Sequence, residues 1–379
     1  MRGARGPLLA FFAFGAYWGA FGVLVPDLKE QVNASVTELG LAFLAVALAA
    51  LPSMLVTGRI VDRVGPKILP LALAFFAAAA ILPGLTDSVL QLALALALIG
   101  LASGAVDVVI NVAATNVETS GGPRVMQIAH ACFSGGFLVA AITVGLARGA
   151  GAGPLAILAG VSALILVSAL VNRGYPSAPR AEEAPGRFTF SRRLLVLGLL
   201  CGLAFVIEGG LEEWSALFLE TELDASPSVS GLGPGFFAAA MMSGRLAGQW
   251  LEMRLGDRQL LVGGGITASV GLVLAASSTA IPLALLGFAL GGLGVSVAAP
   301  TLFGAAGRGA PAAERGSAVA SVTTVSYLGF LAGPPLIGAV SGALSLRAGI
   351  GLMAVAALVL ALAASMARRA LPGAARRHP

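Results

Sequence analysis

Charged residues are scarce in this chain. Asp, Glu, Lys and Arg make up only 11 % of its 379 residues, against about 25 % in ordinary soluble domains. That shortage excludes a water-soluble protein, because there is too little polar surface to cover the 58 % that is hydrophobic. A mean hydropathy of +0.93 calls for lipid around the chain. Cysteine is nearly missing. Cys132 and Cys201 are the only two, and both lie in apolar runs, which argues against a disulfide framework and for small buried side chains. No Cys/His cluster has metal-ligand spacing, so no metal is expected. No Gly-x-x-x-x-Gly-Lys-[Ser/Thr] loop is present, which argues against ATP-driven work. No nucleophile–base pair stands out for hydrolysis, so no cofactor is expected and the chain does not read as an enzyme. The net charge of +5 would by itself admit nucleic acid as a partner. Position argues otherwise, because the basic residues sit in loops between apolar runs.

What is present is length of apolar run. A helix needs about 20 apolar residues to cross the hydrocarbon core, and twelve stretches qualify: 7–27, 38–57, 68–86, 88–118, 127–148, 153–172, 193–222, 229–253, 259–279, 281–305, 315–343 and 346–367. The first follows Met-Arg-Gly-Ala-Arg, runs apolar to Val25 without a small-residue cleavage site, and reads as an uncleaved helix rather than a signal peptide. With the N-terminus in the cytoplasm, twenty basic residues fall inside and only Lys29, Arg148 and Arg347 outside. That asymmetry places both termini in the cytoplasm. The expected fold class is an all-α membrane protein of twelve transmembrane helices in two six-helix bundles. Their expected limits are 1–172 and 193–379, the second with a short basic tail. The linker 173–192 is proline-rich, with Pro176, Pro179 and Pro185, and cytoplasmic.

The halves repeat. The loop after the second span reads Gly58-Arg-Ile-Val-Asp62-Arg63-Val-Gly65-Pro-Lys67, and the one after the eighth reads Gly248-Gln-Trp-Leu-Glu252-Met-Arg254-Leu-Gly256. Gly58 and Gly248 lie 190 residues apart, about half the chain. Glycines let helices approach and turn tightly, and the acid can sit at a helix N-terminus or pair with an arginine, so the loop can latch two bundles in one state of a rocking cycle. Parallel repeats are a feature of secondary transporters. The run Gly58-x-x-x-Asp62-Arg63-x-Gly65-x-Lys67 resembles the signature loop of the major facilitator superfamily. The resemblance covers the whole chain and implies a transporter of the bacterial cytoplasmic (inner) membrane, working as a monomer on a small-molecule substrate.

Charges inside a span cost about 2.5–3.5 kcal/mol each and mark function by default. In the fourth span Asp107, Asn111, Thr115 and Glu118 follow at spacings of four, four and three, which puts them on one helical face. Asp107 reads as a substrate or proton site with Asn111 beside it. Glu118 lies near the cytoplasmic surface, where His130 of the fifth span is a candidate partner in a secondary proton pair. The seventh span carries Glu208, Glu212, Glu213 and Trp214, with Glu208 the deepest and Gly209-Gly210 offering a bend. Phe14, Tyr17, Trp18 and Phe21 cluster in the first span. Tyr17 and Trp18 can stack on a sugar ring or equally pack helices.

Two finer resemblances bear on the solute. Asp107-x-x-x-Asn111 looks like the Glu-x-x-x-Asn of the fucose permease group, where the carboxylate takes part in proton and sugar binding. Glu208-Gly209…Glu213-Trp214-Ser215 and Gly329-x-x-x-Gly333-Pro334-Pro335-x-x-Gly338 are similar to runs in a related branch of bacterial permeases. The first-span acid of fucose permeases is Gly22 here, so coupling either uses another acid, such as Glu208 or Glu212, or differs from that group. The fifth span has Ser134-Gly135-Gly136 where drug–proton antiporters carry Gly-Pro. No Lys or Arg lies deep in a span apart from Arg245, expected near a cytoplasmic end, and this favours a neutral polyhydroxylated or a cationic solute. Proton-coupled uptake of a sugar-like solute comes first. Export of amphipathic compounds and a non-transporting receptor on a transporter fold are the alternatives.

Overall fold

The computed structural model describes residues 4–119, 125–174, 191–311, 314–367 and 370–371; the expected linker lies almost wholly outside them, as do the side chains of Asp62 and Glu252. In a bilayer each backbone N–H and C=O must find its partner within the chain, so spanning segments are helices or closed barrels. Among the described residues all regular structure is helical. The helices are α1 (Arg5–Gln31), α2 (Val36–Val64), α3 (Leu69–Ala80), α4 (Val89–Thr119), α5 (Met126–Gly149), α6 (Pro154–Val171), α7 (Arg192–Leu223), α8 (Pro227–Ser230), α9 (Leu232–Arg254), α10 (Asp257–Ser277), α11 (Ile281–Val295), α12 (Ala298–Arg308), α13 (Arg315–Ala343) and α14 (Leu346–Met366).

Eleven spans among the described residues are long and apolar enough to cross a membrane. The remaining long helix is α9, where Arg245 and four glycines dilute the apolar run. Two spans are less regular than their sequence suggests. Pro66 and Pro83 sit in 3-10 turns, Gly65–Ile68 and Leu82–Leu85, that flank a short α3. A turn at Ser296–Val297 separates α11 from α12 within one span. Helix starts follow serine caps. Ser35 Oγ accepts from the Glu38 N–H while Glu38 accepts from the Ser35 N–H, a reciprocal capping box; Ser191 and Ser345 cap α7 and α14 the same way on one side. Just past α1 and α7, Asn33 (φ 50°) and Asp224 (φ 51°) adopt left-handed backbone, which these two side chains tolerate. They lie about 190 residues apart, the period of the loop repeat.

The chain divides into two compact units, Met1–Glu182 with Ala225–Gly235, and Glu183–Asp224 with Phe236–Pro379. Helix pairing recurs within them. In the first unit α1 packs on α5 and α3 on α6; in the second α7 packs on α13 and α10 on α14. Lipid offers no hydrophobic drive between helices, so small residues and close backbones hold them. A Cβ on Gly15 or Gly19 of α1 would strike the carbonyls of Phe133 and Phe137, and one on Gly329 of α13 would strike the carbonyl of Gly202. Large apolar side chains such as Leu71, Leu90, Leu246 and Met366 point outward instead. The apolar window of α1 is 78 % buried, whereas those of α2 and α6 are 28 % buried, so the latter two present most of their surface to lipid.

Sequence alone assigns Ala225–Gly235 to the second bundle. It packs with the first unit, because Gly145 and Gly149 of α5 and Gly231 leave room for α8 to approach; Cβ atoms on these glycines would meet Ser228 or the Ala141 carbonyl.

Candidate functional site

In the first unit, α4 carries the polar stripe. Asn111 Nδ2 donates to the Asp107 backbone oxygen at 2.8 Å and to Asp107 Oδ1 at 3.2 Å. Thr115 Oγ1 donates to the Asn111 carbonyl at 2.9 Å. Asp107 and Asn111 are both half-buried. The pair therefore presents a carboxylate and an amide oxygen, two acceptors one helical turn apart, on a segment that is otherwise apolar.

Glu118 is used differently. Its Oε1 accepts the N–H of Val125 at 2.6 Å and of Met126 at 2.8 Å, capping the start of α5. Unpaired N–H groups at a helix start attract a carboxylate, and this explains an acid so close to a helix end. His130 lies edge-on to Phe11 with ring centroids 5.3 Å apart. Tyr17 takes the packing role, one of the two its spacing allows. It is fully buried against Phe76 (4.9 Å), Trp18 (5.2 Å) and Phe21 (6.1 Å), and its hydroxyl has no partner among the described residues. A ring buried on all sides offers no face to a sugar in this conformation. Trp18 remains half-buried.

In the second unit, Glu208 of α7 and Arg245 of α9 form an ion pair, Nη2 to Oε1 at 3.1 Å. Arg245 thus stands inside α9, well before its last residue, Arg254. A lone arginine within a span-length run was the available signal, and it was masked by the neighbouring repeat loop. Glu212 and Glu213 are half-buried one turn further along α7, and Glu213 Oε2 has no partner among the described residues. Among those residues no three His, Cys, Asp or Glu side chains gather into a metal-holding group.

The loop after α2 divides by role. Gly65 stands at φ 68°, ψ −175°, a region essentially reserved for glycine. A Cβ on Gly58 would meet nothing within 4 Å among the described residues, so no close approach there requires glycine. Arg63 and Lys67 are exposed. In the second copy Gly248 is buried facing Val297, and Arg254 is exposed. Gly65→Ala is expected to lower stability by about 1–3 kcal/mol, whereas Gly58→Ala should raise it by roughly 0.5–1 kcal/mol through helix propensity. Melting of the purified variants measures both.

A network not anticipated from sequence joins Arg148 to Asp27. Arg148 Nε and Nη2 donate to the two Asp27 oxygens at 2.6 and 2.5 Å, and Nη1 donates to Ser230 Oγ at 3.0 Å. Arg347 is bound similarly, to Glu222 Oε2 at 2.8 Å and to the carbonyls of Ala276 and Ser278. Two of the three cations expected outside are therefore neutralised by acids of their own unit.

Comparison with known proteins agrees with this architecture. The Major Facilitator Superfamily matches residues 8–252 and again 214–379. The chain is 35 % identical over 360 residues to an uncharacterised MFS-type transporter of Yersinia pestis, covering 94 % of this chain and 93 % of that one. It is 30 % identical over 356 residues to membrane protein MosC of Rhizobium meliloti, covering 92 % and 86 %. Among solved structures it resembles the nucleoside transporter NupG with a TM-score of 0.79 at 14 % identity, covering 97 % and 98 % of the two chains. It also resembles a bacterial homologue of the human lysosomal transporter Spinster, with a TM-score of 0.77 at 15 % identity, covering 97 % and 96 %. Those two likenesses speak for the fold alone. A multi-pass helical chain with matches of this extent is a membrane transporter of small molecules and not an enzyme, and it belongs to the major facilitator superfamily.

Proposed function

We propose that this chain is a proton-coupled secondary transporter that moves a small sugar-like solute by alternating access of its two six-helix repeats. The observation that carries the reading is the Asp107–Asn111 pair, bonded at 3.2 Å on one face of a spanning helix. Four residues rise about 6 Å along a helix, so one solute can touch both. The carboxylate takes a proton on one side and releases it on the other, and a solute that prefers the protonated form links the two fluxes by differential affinity. Glu208 and Glu212 are the second proton site of this reading. The fucose-permease-related branch, the inner membrane with both termini cytoplasmic, and monomeric action belong to the same proposal.

In this reading Gly58, Asp62, Arg63, Gly65 and Lys67, with Gly248, Glu252 and Arg254, latch the cytoplasmic side in one state of the cycle. Asp62→Asn is then expected to slow transport several-fold while the protein still inserts; a variant that cycles at the wild-type rate would remove the latch. The overall reading is tested in proteoliposomes. An acid-outside pH gradient should drive accumulation of a solute identified by thermal-shift screening, with proton entry that depends on that solute. Solute movement indifferent to the gradient counts against proton coupling. Binding without any movement favours a receptor.

A further inference from the structure

Among the described residues of the second unit, those away from helix ends include one cation, Arg245 of α9, and three carboxylates, Glu208, Glu212 and Glu213 of α7. Other arginines of this unit show how the chain uses the side chain as a staple. Arg308 meets both oxygens of Asp257, at 2.8 and 2.7 Å. Arg347 gives bonds to Glu222 Oε2 and to the carbonyls of Glu222, Ala276 and Ser278. A guanidinium carries five N–H donors in a planar fork and suits two-point contact with a carboxylate. Arg245 makes one bond, to one oxygen of Glu208. Its side chain is 33 % exposed and that of Glu208 16 %. The remaining N–H groups of this partly exposed guanidinium have no acceptor among the described protein groups and stand open to one from a solute.

We infer that Arg245 is a solute-binding residue that exchanges partners: it holds Glu208 when Glu208 is ionised, and a carboxylate of the transported solute when Glu208 takes a proton. The inference rests on the proton-coupled reading above and narrows its sugar-like solute to an acidic one, a small hydroxylated monocarboxylate. The exchange balances. A proton adds to a Glu208 oxygen, the N–H···O bond to Arg245 breaks, and the solute carboxylate accepts from the freed guanidinium. One proton on Glu208 accompanies one monoanion on Arg245, so the charge of this pair is unchanged. A monoanion is favoured over a phosphate dianion because Arg245 stands alone.

Groups near Glu208 are few. Glu212, Glu213 and Cys201 share its helix, and Arg245 faces it from α9. Of the helices packed on α7, α11 has no ionisable residue. α12, α13 and α14 carry charge only at their ends, in Arg308, Arg315 and Arg347, and α13 adds Tyr327, which meets Phe205 and Phe330. Among the described residues of these helices, no second cation away from a helix end competes for the anion.

The test uses the full-length purified protein, with D-gluconate and D-glucuronate as probes and D-glucose and the methyl ester of glucuronate as neutral counterparts. Thermal shift at pH 5.5 and pH 8 reports binding. The carboxylates should stabilise the wild type at pH 5.5, with apparent affinity at least tenfold weaker at pH 8. E208Q should lose most of that pH dependence, R245Q should lose the carboxylates, and R245K should bind weakly. If R245Q does not reach the membrane, the E208Q pH profile decides. Stabilisation by the neutral sugars alone, or carboxylate shifts unchanged by R245Q, overturns the inference. Binding that needs Arg245 but ignores pH and E208Q overturns the exchange. If a pH gradient drives a neutral sugar through the proteoliposomes, proton coupling stands and the acidic solute falls. If gluconate binds through Arg245 with the expected pH profile and no gradient drives any solute, the transport reading fails instead.

Discussion

Asp107→Asn should abolish proton-driven accumulation while leaving counterflow of preloaded solute in place. One pH unit is worth about 1.4 kcal/mol per proton, or roughly tenfold accumulation, and a variant without the titrating group should fall to equal concentrations on both sides. Asparagine keeps the size of the side chain and an oxygen for the Asn111 amide, which donates to Asp107 at 3.2 Å. The helix and its local hydrogen bonds should therefore survive, and only the ability to carry a proton is lost. Asn111→Ala is the partner experiment, and it should weaken solute binding yet keep the dependence on the gradient. If Asp107 merely bonds to its neighbours, Asp107→Asn will accumulate solute as the wild type does. Glu208 would then become the next residue to test.

Arg148→Met should be the most damaging single change to stability among the surface-proximal charges. The arginine side chain is 2 % exposed and its Asp27 partner 26 %. Removing one member of a buried pair leaves the other charged and unpaired, which costs about 3–5 kcal/mol; partial exposure of Asp27 places this case near the lower end. Ser230→Ala removes one hydrogen bond and should cost about 1 kcal/mol. The double change Arg148→Met with Asp27→Leu should recover most of the loss, since an apolar pair of similar volume is often as stable as a buried ion pair. Melting of the four proteins in one detergent decides it. If Arg148→Met loses no more than Ser230→Ala, the guanidinium is held by solvent rather than by Asp27.

The helical spans are legible in the sequence because apolar run length answers to a single constraint, the thickness of the hydrocarbon core. Irregularities within spans are less so. Proline at 66 and 83 is visible, yet whether it kinks a helix or ends it in a 3-10 turn depends on neighbours. The Asp107–Asn111 contact follows from a spacing of four on one helix and needs no tertiary information. Arg245 illustrates the opposite case: its partner Glu208 is 37 residues away, and the adjoining repeat loop makes it look peripheral. Tyr17 was ambiguous for a related reason. An aromatic stripe has the same spacing whether it lines a cavity or fills a core, and only Phe76, from another helix, settles that it is buried. Glu118 meets the N–H groups of Val125 and Met126 only through the placement of α5 beside the end of α4, which spacing on one helix does not reveal.

The segment Ala225–Gly235 has a consequence for biosynthesis. It belongs to the first compact unit, but the ribosome delivers it only after α7 has been made. Until then the glycine surface of α5 at Gly145 and Gly149 is uncovered and Arg148 lacks Ser230. The first six helices thus emerge as an unfinished body, and a nascent chain stalled before residue 225 should expose an open flank to chaperones or membrane proteases that the completed chain conceals.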